Sequence, residues 1–433
     1  MQRPLIALLV AGAVTFDAQA ADLIQVYQQA LANDATYAAA RNALTAGQER
    51  SIQGRSLLLP QVGLQGVHTR TDGSSRVPNQ PRGDVDTHDN RYTLALTQPL
   101  FNWGSWQQYE QSKLAQMQAS VVFAQAQQDL VVRVAQAYFD VLTAQDNLAS
   151  IQAQKSATTE QLASAKRNFE VGTQTITDTH EAQAAYDLVV AQEYAAINSL
   201  EVTRSALQQI IGTAPATLAT LRAGVTIAPP QPANIEPWIS AAENDNFSVA
   251  LQRLQVEIAT REIARNRAGH LPTVDLTASA VRDSQPVVGV QRGNSVGVTW
   301  NVPIFSGFAV TSRVRETIAL EDQARNNLEA NKRAAAQNAR QAYFGVSSGL
   351  AQVKALEAAE VSSNSALESN KLGYQVGVRI NIDVLNAQRQ LYSTQRDLSK
   401  ARYDTIMNGL RLKAAAGTLR EEDLAPINAL LTN

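Results

Sequence analysis

Two stretches of this chain, 205 positions apart, follow one pattern: FEVGTQTITDTHEAQ from Phe169 to Gln183 and YQVGVRINIDVLNAQ from Tyr374 to Gln388. Each reads aromatic, any residue, Val-Gly, five residues, Asp, three residues, Ala-Gln. LPQVGL (Leu59 to Leu64) is answered by LPTVDL (Leu271 to Leu276), and LTQPLF (Leu96 to Phe101) by WNVPIF (Trp300 to Phe305). Ala137-Tyr138-Phe139 returns as Ala342-Tyr343-Phe344, and Ile211-Gly212-Thr213 as Ala416-Gly417-Thr418. The chain is a tandem duplication. The joint is expected in the Pro-rich segment from Gly212 to Pro237, where APPQP and IEP read as an extended linker.

Within each half, short segments alternate apolar and polar residues with period two. Val62 and Leu64 go with Tyr92, Leu94 and Leu96, and Val274 and Leu276 with Val296, Val298 and Trp300. These predict two strand pairs of about ten residues per strand. Each pair brackets a polar loop, Thr71 to Asn90 in one half and Arg282 to Asn294 in the other. The remainder is rich in Ala and Gln and nearly free of Pro and Gly between Ser105 and Glu170 and between Gly307 and Ser347, which predicts long helices. One seam reads Leu114, Met117, Val121, Ala124, Gln128, Val131, Ala135, Tyr138, Leu142, spaced three and four as in a coiled coil. About 65 helical residues would extend roughly 100 Å. A return helix from about Thr177 to Ile211 makes each half a helical hairpin whose tip is the repeated Val-Gly stretch.

Length, charge and terminal pattern restrict what such a chain can do. The 37 basic and 39 acidic residues nearly balance, which argues against a nucleic-acid partner. Arg3, an apolar run from Leu5 to Val14 and Ala18-Gln19-Ala20 have the layout of a secretion signal, placing the mature start at Ala21. Beyond it no stretch of 18 apolar residues offers a transmembrane helix. The absence of cysteine excludes disulfides, thiolate metal sites, Cys catalysis and a lipidated N-terminal Cys. His68, His88, His180 and His270 are scattered, and Gly289, Gly293 and Gly297 lack the Lys-Ser/Thr of a phosphate loop, so neither an enzyme nor a cofactor is expected.

Paired strands behind a secretion signal point to an outer-membrane barrel, because only helices and closed sheets satisfy every backbone group in lipid. Four strands cannot close a useful barrel, so several chains must share one. Phe101, Trp103, Trp106, Trp300, Phe305 and Phe308 cluster where the strands end, suited either to a membrane interface or to wedging the strand-to-helix corner. The rival is a periplasmic adaptor or structural coiled coil. Adaptors usually set one helical hairpin between β-rich segments, whereas strand, strand, helices occurs here twice.

DLIQVYQQAL near the mature N-terminus, LLLPQVGL, LTQPLF, AYFDVL, FEVGTQTITD, GHLPTVDLTAS, VPIFSG, YQVGVRINIDVLNAQ and AAAGTLREEDL together resemble the TolC-type outer-membrane efflux and secretion channels over essentially the whole mature chain. The resemblance implies an α+β homotrimer: a β-barrel of four strands per chain in outer-membrane lipid, continuous with a periplasmic α-helical coiled-coil barrel. It implies an inner-membrane transporter of RND, ABC or MFS type and a periplasmic adaptor as partners, multidrug efflux or type I protein secretion as the task, and no cofactor. The expected division is a signal peptide at 1–20, a first repeat at 21–211 with its β-hairpin at about 57–101 and helical hairpin at about 105–211, and an equatorial linker at 212–237. A second repeat follows at 238–418, with hairpins at about 271–305 and 307–416, then a C-terminal segment at 419–433.

The same resemblance implies a gate. Asp383 from three protomers would form an acidic ring, and Tyr374 and Arg379 would tie the second tip to Asp178, with Thr177 beside it. Gly172 and Gly377 mark the tips. The family's second Asp, one helical turn beyond the first, is Asn386 here, so one acidic ring with an amide ring above it is expected, and with it weaker cation blockade. The plainer role for Asp178 and Asp383 is helix capping, which is compatible with gating.

Overall fold

A computed structural model describes residues 20–75, 83–215, 217–222, 224–285 and 289–432. The expected signal peptide, Ala20 apart, lies outside the described residues. The elements run α1 (Leu23–Asn33), α2 (Ala35–Ser56), β1 (Gln61–Ser75), β2 (Gly83–Phe101), α3 (Trp103–Glu170), α4 (Ile176–Ile211), α5 (Glu236–Asp245), α6 (Phe247–Arg267), β3 (Thr273–Gln285), β4 (Gly289–Asn301), α7 (Ala309–Gln375), α8 (Asn381–Ala415) and α9 (Leu424–Asn428). The two longest helices, α3 and α7, have 68 and 67 residues and occupy matching places in the two halves. The chain divides into two compact units, each assembled from both halves: one of 1–38, 126–242 and 336–433, the other of 39–125 and 243–335.

The second unit carries a four-stranded antiparallel sheet in the order β1-β2-β3-β4. Its register puts like residues on like faces. Val62 pairs with Leu96, Leu64 with Leu94, Leu96 with Ala278, Leu94 with Ala280, Leu276 with Val298 and Val274 with Trp300. The opposite face holds Gln61 with Thr97, Gln65 with Thr93, Asp275 with Thr299, Thr277 with Gly297 and Ser279 with Ser295. The apolar face is uncovered: Val62, Leu64, Leu94, Val296, Val298 and Trp300 are all exposed. Among the described residues β1 and β4 each pair on one side only, which leaves two open edges.

The strands are longer than the ten residues that the alternation predicts: 15, 19, 13 and 13. The polar segments expected as loops continue the ladder, with Thr69 opposite Asp89, Arg70 opposite His88 and Arg282 opposite Arg292. Polar cross-strand pairs support this extension: His68 Nδ1 lies 2.7 Å from Asn90 Oδ1, and Arg91 Nη2 lies 2.8 Å from Asp283 Oδ2. In the same unit Gln111 donates to the Ile258 carbonyl (3.2 Å) and to Glu262 (2.9 Å), fastening α3 to α6. Met117, expected in the α3 seam, is 46% exposed, while Leu114 on the same seam is buried.

The first unit holds the main hydrophobic core. Leu130, Val134, Tyr138, Phe139 and Leu142 of α3 pack with Leu23 and Tyr27 of α1, Leu207 and Ile211 of α4, and Met407 and Leu410 of α8. The Tyr138 hydroxyl donates to the Ala219 carbonyl at 2.7 Å, with the Ala21 carbonyl at 3.2 Å. It thereby fixes the linker and the chain start on α3. Isolated bridges join Ala21 to Leu218 and Leu221 to Leu431, so the linker is threaded between both ends of the chain. Lys155 Nζ meets Glu193 at 2.6 Å between α3 and α4, and this hydrogen bond raises the ammonium's pKa above its ordinary value.

Candidate functional site

Both Val-Gly tips belong to the first unit and are built alike on the helix-ending side. In the first, Gly172 has φ 77°, and the amides of Gly172 and Thr173 bond back to the carbonyls of Phe169 (2.9 Å) and Asn168 (2.9 Å). In the second, Gly377 has φ 78°, and the amides of Gly377 and Val378 bond to Tyr374 (3.2 Å) and Gly373 (2.9 Å). A left-handed residue after the last turn satisfies carbonyls that the helix leaves unpaired, and only glycine takes that conformation without strain. Both Val-Gly pairs therefore stop a long helix and reverse the chain.

The helix-starting sides differ. Thr175 caps α4 in a reciprocal box: its hydroxyl accepts from the Asp178 amide (3.3 Å), while Asp178 Oδ2 accepts from the Thr175 amide (3.1 Å) and hydroxyl (2.9 Å). The cap of α8 is Ile380, which makes no side-chain bond to the helix. Asp383 stands at the position matching Asp178 and turns instead to Arg379, with 3.7 Å between Oδ2 and Nη1. Val376, Val378 and Ile380 leave this tip with three exposed aliphatic side chains.

The expected ties from Tyr374 and Arg379 to Asp178 are not made within the chain. The Tyr374 hydroxyl donates to Gln174 Oε1 (2.7 Å) and accepts from Asn168 Nδ2 (3.5 Å). Asp178's carboxylate is engaged in its own helix cap, and Arg379's guanidinium faces Asp383, so neither Tyr374 nor Arg379 meets Asp178. Thr177 is exposed. The side chain that does reach Asp178 is Asn381, whose Nδ2 donates to the Asp178 carbonyl at 3.1 Å and whose Oδ1 accepts from Gln161 Nε2 at 2.6 Å. Asn381 is 0% exposed. It joins α3, α4 and α8 through one amide with both ends satisfied. Below it Leu385 and Ile382 pack on Leu162, Ala165 and Ala182.

Sequence reasoning missed Asn381, Gln161 and Gln174. The signal for Asn381 lay in the duplication itself, because the matching position of the first copy is Ile176. A polar residue that replaces an aliphatic one in a conserved register needs a partner, and here it found two.

Beyond Asp383, α8 presents Asn386, Arg389 and Gln390 as an exposed ridge. Arg389 Nη2 donates to Asn386 Oδ1 at 3.3 Å. The aromatic residues at the strand ends lie in the second unit, and all six, Phe101, Trp103, Trp106, Trp300, Phe305 and Phe308, are exposed. Phe305 and Phe308 stand edge to face at 5.5 Å, and Phe308 carries φ 65°. Among the described residues no cluster of acidic, His or Cys side chains could hold a metal ion, and no helix is long and apolar enough to cross a membrane.

The sequence profile described as outer membrane efflux protein matches residues 26–213 and 238–418. The chain is 34% identical over 430 residues to the outer membrane protein TolC of Escherichia coli strain K12, an alignment that covers 96% of this chain and 86% of that one. It is 31% identical over 428 residues to the proteases secretion protein PrtF of Dickeya chrysanthemi, with 95% and 91% covered. The fold superposes on the CmeC outer membrane channel of Campylobacter jejuni with a TM-score of 0.80 at 16% identity, over 95% of this chain and 90% of that one.

Proposed function

The chain belongs to the outer membrane efflux protein family, and from that premise we propose that the two hairpin tips are the gate of an exit duct for efflux or protein secretion. It is an outer-membrane channel rather than an enzyme. The observation that carries the reading is the sheet: one face apolar and uncovered, the other polar, both edges open. In lipid an open edge leaves backbone groups unsatisfied, and in water a bare apolar face is costly. Pairing β4 of one protomer with β1 of the next removes both defects at once. Three copies supply twelve strands, and the family works as trimers with inner-membrane transporters and adaptors. A periplasmic adaptor or free coiled coil gives no such use to the uncovered face, and the family profile matches both halves of the duplication.

At the gate Asp383 faces the axis, so that three carboxylates attract cations, with Asn386 as a neutral amide ring above. Closure rests on the contacts within each protomer, Tyr374 to Gln174 and Asn381 to Gln161 and Asp178, and Arg379, Asp178 and Thr177 add ties to the neighbouring protomer once Arg379 and Asp178 exchange their own partners, Asp383 and Thr175. The exposed aromatics at the strand ends meet outer-membrane lipid at its interface. An RND, ABC or MFS transporter selects the cargo. The test is direct. The mature protein should fractionate with outer membranes, run as a heat-modifiable trimer and form channels in planar bilayers; a freely soluble monomer that forms none would overturn the reading.

A further inference from the structure

Between the first helical hairpin and α8 lies a cleft of about 440 Å³ whose lining includes Gln154, Thr158, Gln192, Gln388, Arg389 and Arg396. All of it belongs to the first unit. It holds two guanidinium groups and no carboxylate. Arg396 Nη1 donates to Gln154 Oε1 at 3.4 Å and Arg389 Nη2 to Asn386 Oδ1 at 3.3 Å, both neutral acceptors. Among the described residues neither arginine forms an ion pair, although each guanidinium carries five donors in a fork that suits a carboxylate. Gln388 adds a second, independent observation. Its side chain lines the same cleft, the residue is 4% exposed, and its Oε1 is buried without a donor. A buried acceptor left unpaired costs about 1–3 kcal/mol, so the cleft as it stands is incomplete.

We propose that this cleft is a binding site for an acidic polypeptide segment, whose side-chain carboxylates bridge Arg389 and Arg396 while a backbone N–H donates to Gln388. A simple anion would satisfy the arginines but not the amide oxygen; a neutral peptide would do the reverse. The proposal rests on the reading that the exposed ridge of α8 lines the duct. On that reading Arg389 stands within two helical turns of Asp383, and the site forms three times, directly beyond the acidic constriction. A passing acidic segment would be repelled at Asp383 and held at the arginines.

The test is single-channel recording of the full-length trimer in planar bilayers. An Asp-rich peptide, its Asn-rich counterpart and sodium sulfate are each added at the barrel mouth. The acidic peptide should cause reversible block, and the amide peptide and sulfate little at equal concentration. Arg389→Gln with Arg396→Gln should weaken that block by about tenfold or more, the equivalent of roughly 1.4 kcal/mol. Lysine at both positions should retain much of it, and Gln388→Leu should weaken block by the acidic peptide alone. The heat-modifiable trimer band confirms that each variant folds. Equal block of the double glutamine variant and the parent, or equal block by the amide peptide, overturns the proposal. Equal block by sulfate overturns the peptide assignment. Asp383→Asn separates the two readings. If it alters cation selectivity while the arginine variants alter nothing, the duct stands and the site falls; if it too alters nothing, both fall together.

Discussion

The two hairpin tips share a helix stop and differ in their helix start, and the difference falls where the proposed gate has the duplicated halves act differently. The first tip is closed on itself. Thr175 and Asp178 cap α4 with their own side chains, and Asp178 spends its carboxylate on that cap. The second tip has no such cap. Two of its polar side chains reach across to the first hairpin, Tyr374 to Gln174 and Asn381 to Gln161 and the Asp178 carbonyl, and only Arg379 stays local, on Asp383. One copy is held by local bonds that survive a rigid-body motion, and the other is held by its neighbour. That is the asymmetry a gate needs, with a fixed post and a leaf fastened to it by few bonds.

The largest expected effect comes from making the second tip more like the first at Asn381. Asn381→Leu removes both amide bonds and leaves the part-buried Gln161 amide without its acceptor, a loss of about 1–3 kcal/mol per protomer. The channel should open, with higher conductance in planar bilayers and a trimer that melts at lower temperature. Conductance at the parental level would mean that the buried amide is only structural. Replacing Tyr374 by Phe together with Arg379 by Ser should come next. The pair gives up the Tyr374 bond to Gln174, about 0.5–1.5 kcal/mol, the long and weaker bond from Asn168, and one exposed ion pair of about 0–1 kcal/mol. Conductance should rise, but less than for Asn381→Leu. If this double variant opens further than Asn381→Leu, the ranking of the two fastenings is reversed.

A third change leaves the fastening largely alone and tests the electrostatics. Asp383→Asn turns the proposed acidic ring into an amide ring like that expected at Asn386, at the cost of one exposed pair with Arg379. Cation selectivity and block by divalent ions should fall, while closed-state conductance moves little. Unchanged selectivity would remove Asp383 from the narrowest point.

The architecture was legible because duplication doubled every signal. Period-two alternation at Val62-Leu64 and Val274-Leu276 appears in both halves, as does a long stretch free of Pro and Gly, and each copy supports the other. Three things were not legible. Strand length was understated because a sheet that meets water above the apolar band keeps its hydrogen-bond ladder while losing its hydrophobic alternation, as at Thr69 to Asp89. Burial within a repeat was hidden because identical tripeptides acquire different neighbours. Tyr138 and Phe139 are almost fully buried, Tyr138 against the chain start and linker and Phe139 against Tyr403 of α8, whereas Phe344, which matches Phe139 in the second copy, is 59% exposed. Met117 fits the heptad but lies bare for the same reason, since periodicity reports a face and not what covers it. At the hairpin tips, the residue types at Tyr374, Arg379 and Asp178 drew notice, but their partners depended on side chains such as Gln174 and Asn381 that are ordinary in composition and special only in register.

The smallest expected effect tests the comparison from the opposite side, by giving the second tip the cap of the first. Ile380 has φ −101° and ψ 163°, and Thr175 has φ −88° and ψ 158°, so the two caps share one extended backbone conformation. Ile380→Thr should therefore enter without strain, three residues before Asp383, and complete the box that Thr175 forms with Asp178. Ile380 is exposed, so little apolar burial is lost. A threonine cap contributes about 1 kcal/mol, less whatever Asp383 gives up in leaving Arg379. Amide exchange across residues 381–384 should slow by up to about fivefold, and opening events should become rarer without a change in open-channel conductance. Faster exchange, or more frequent opening, would mean that Asp383 serves closure better beside Arg379 than in a cap. In that case the bare start of α8 is itself part of the latch.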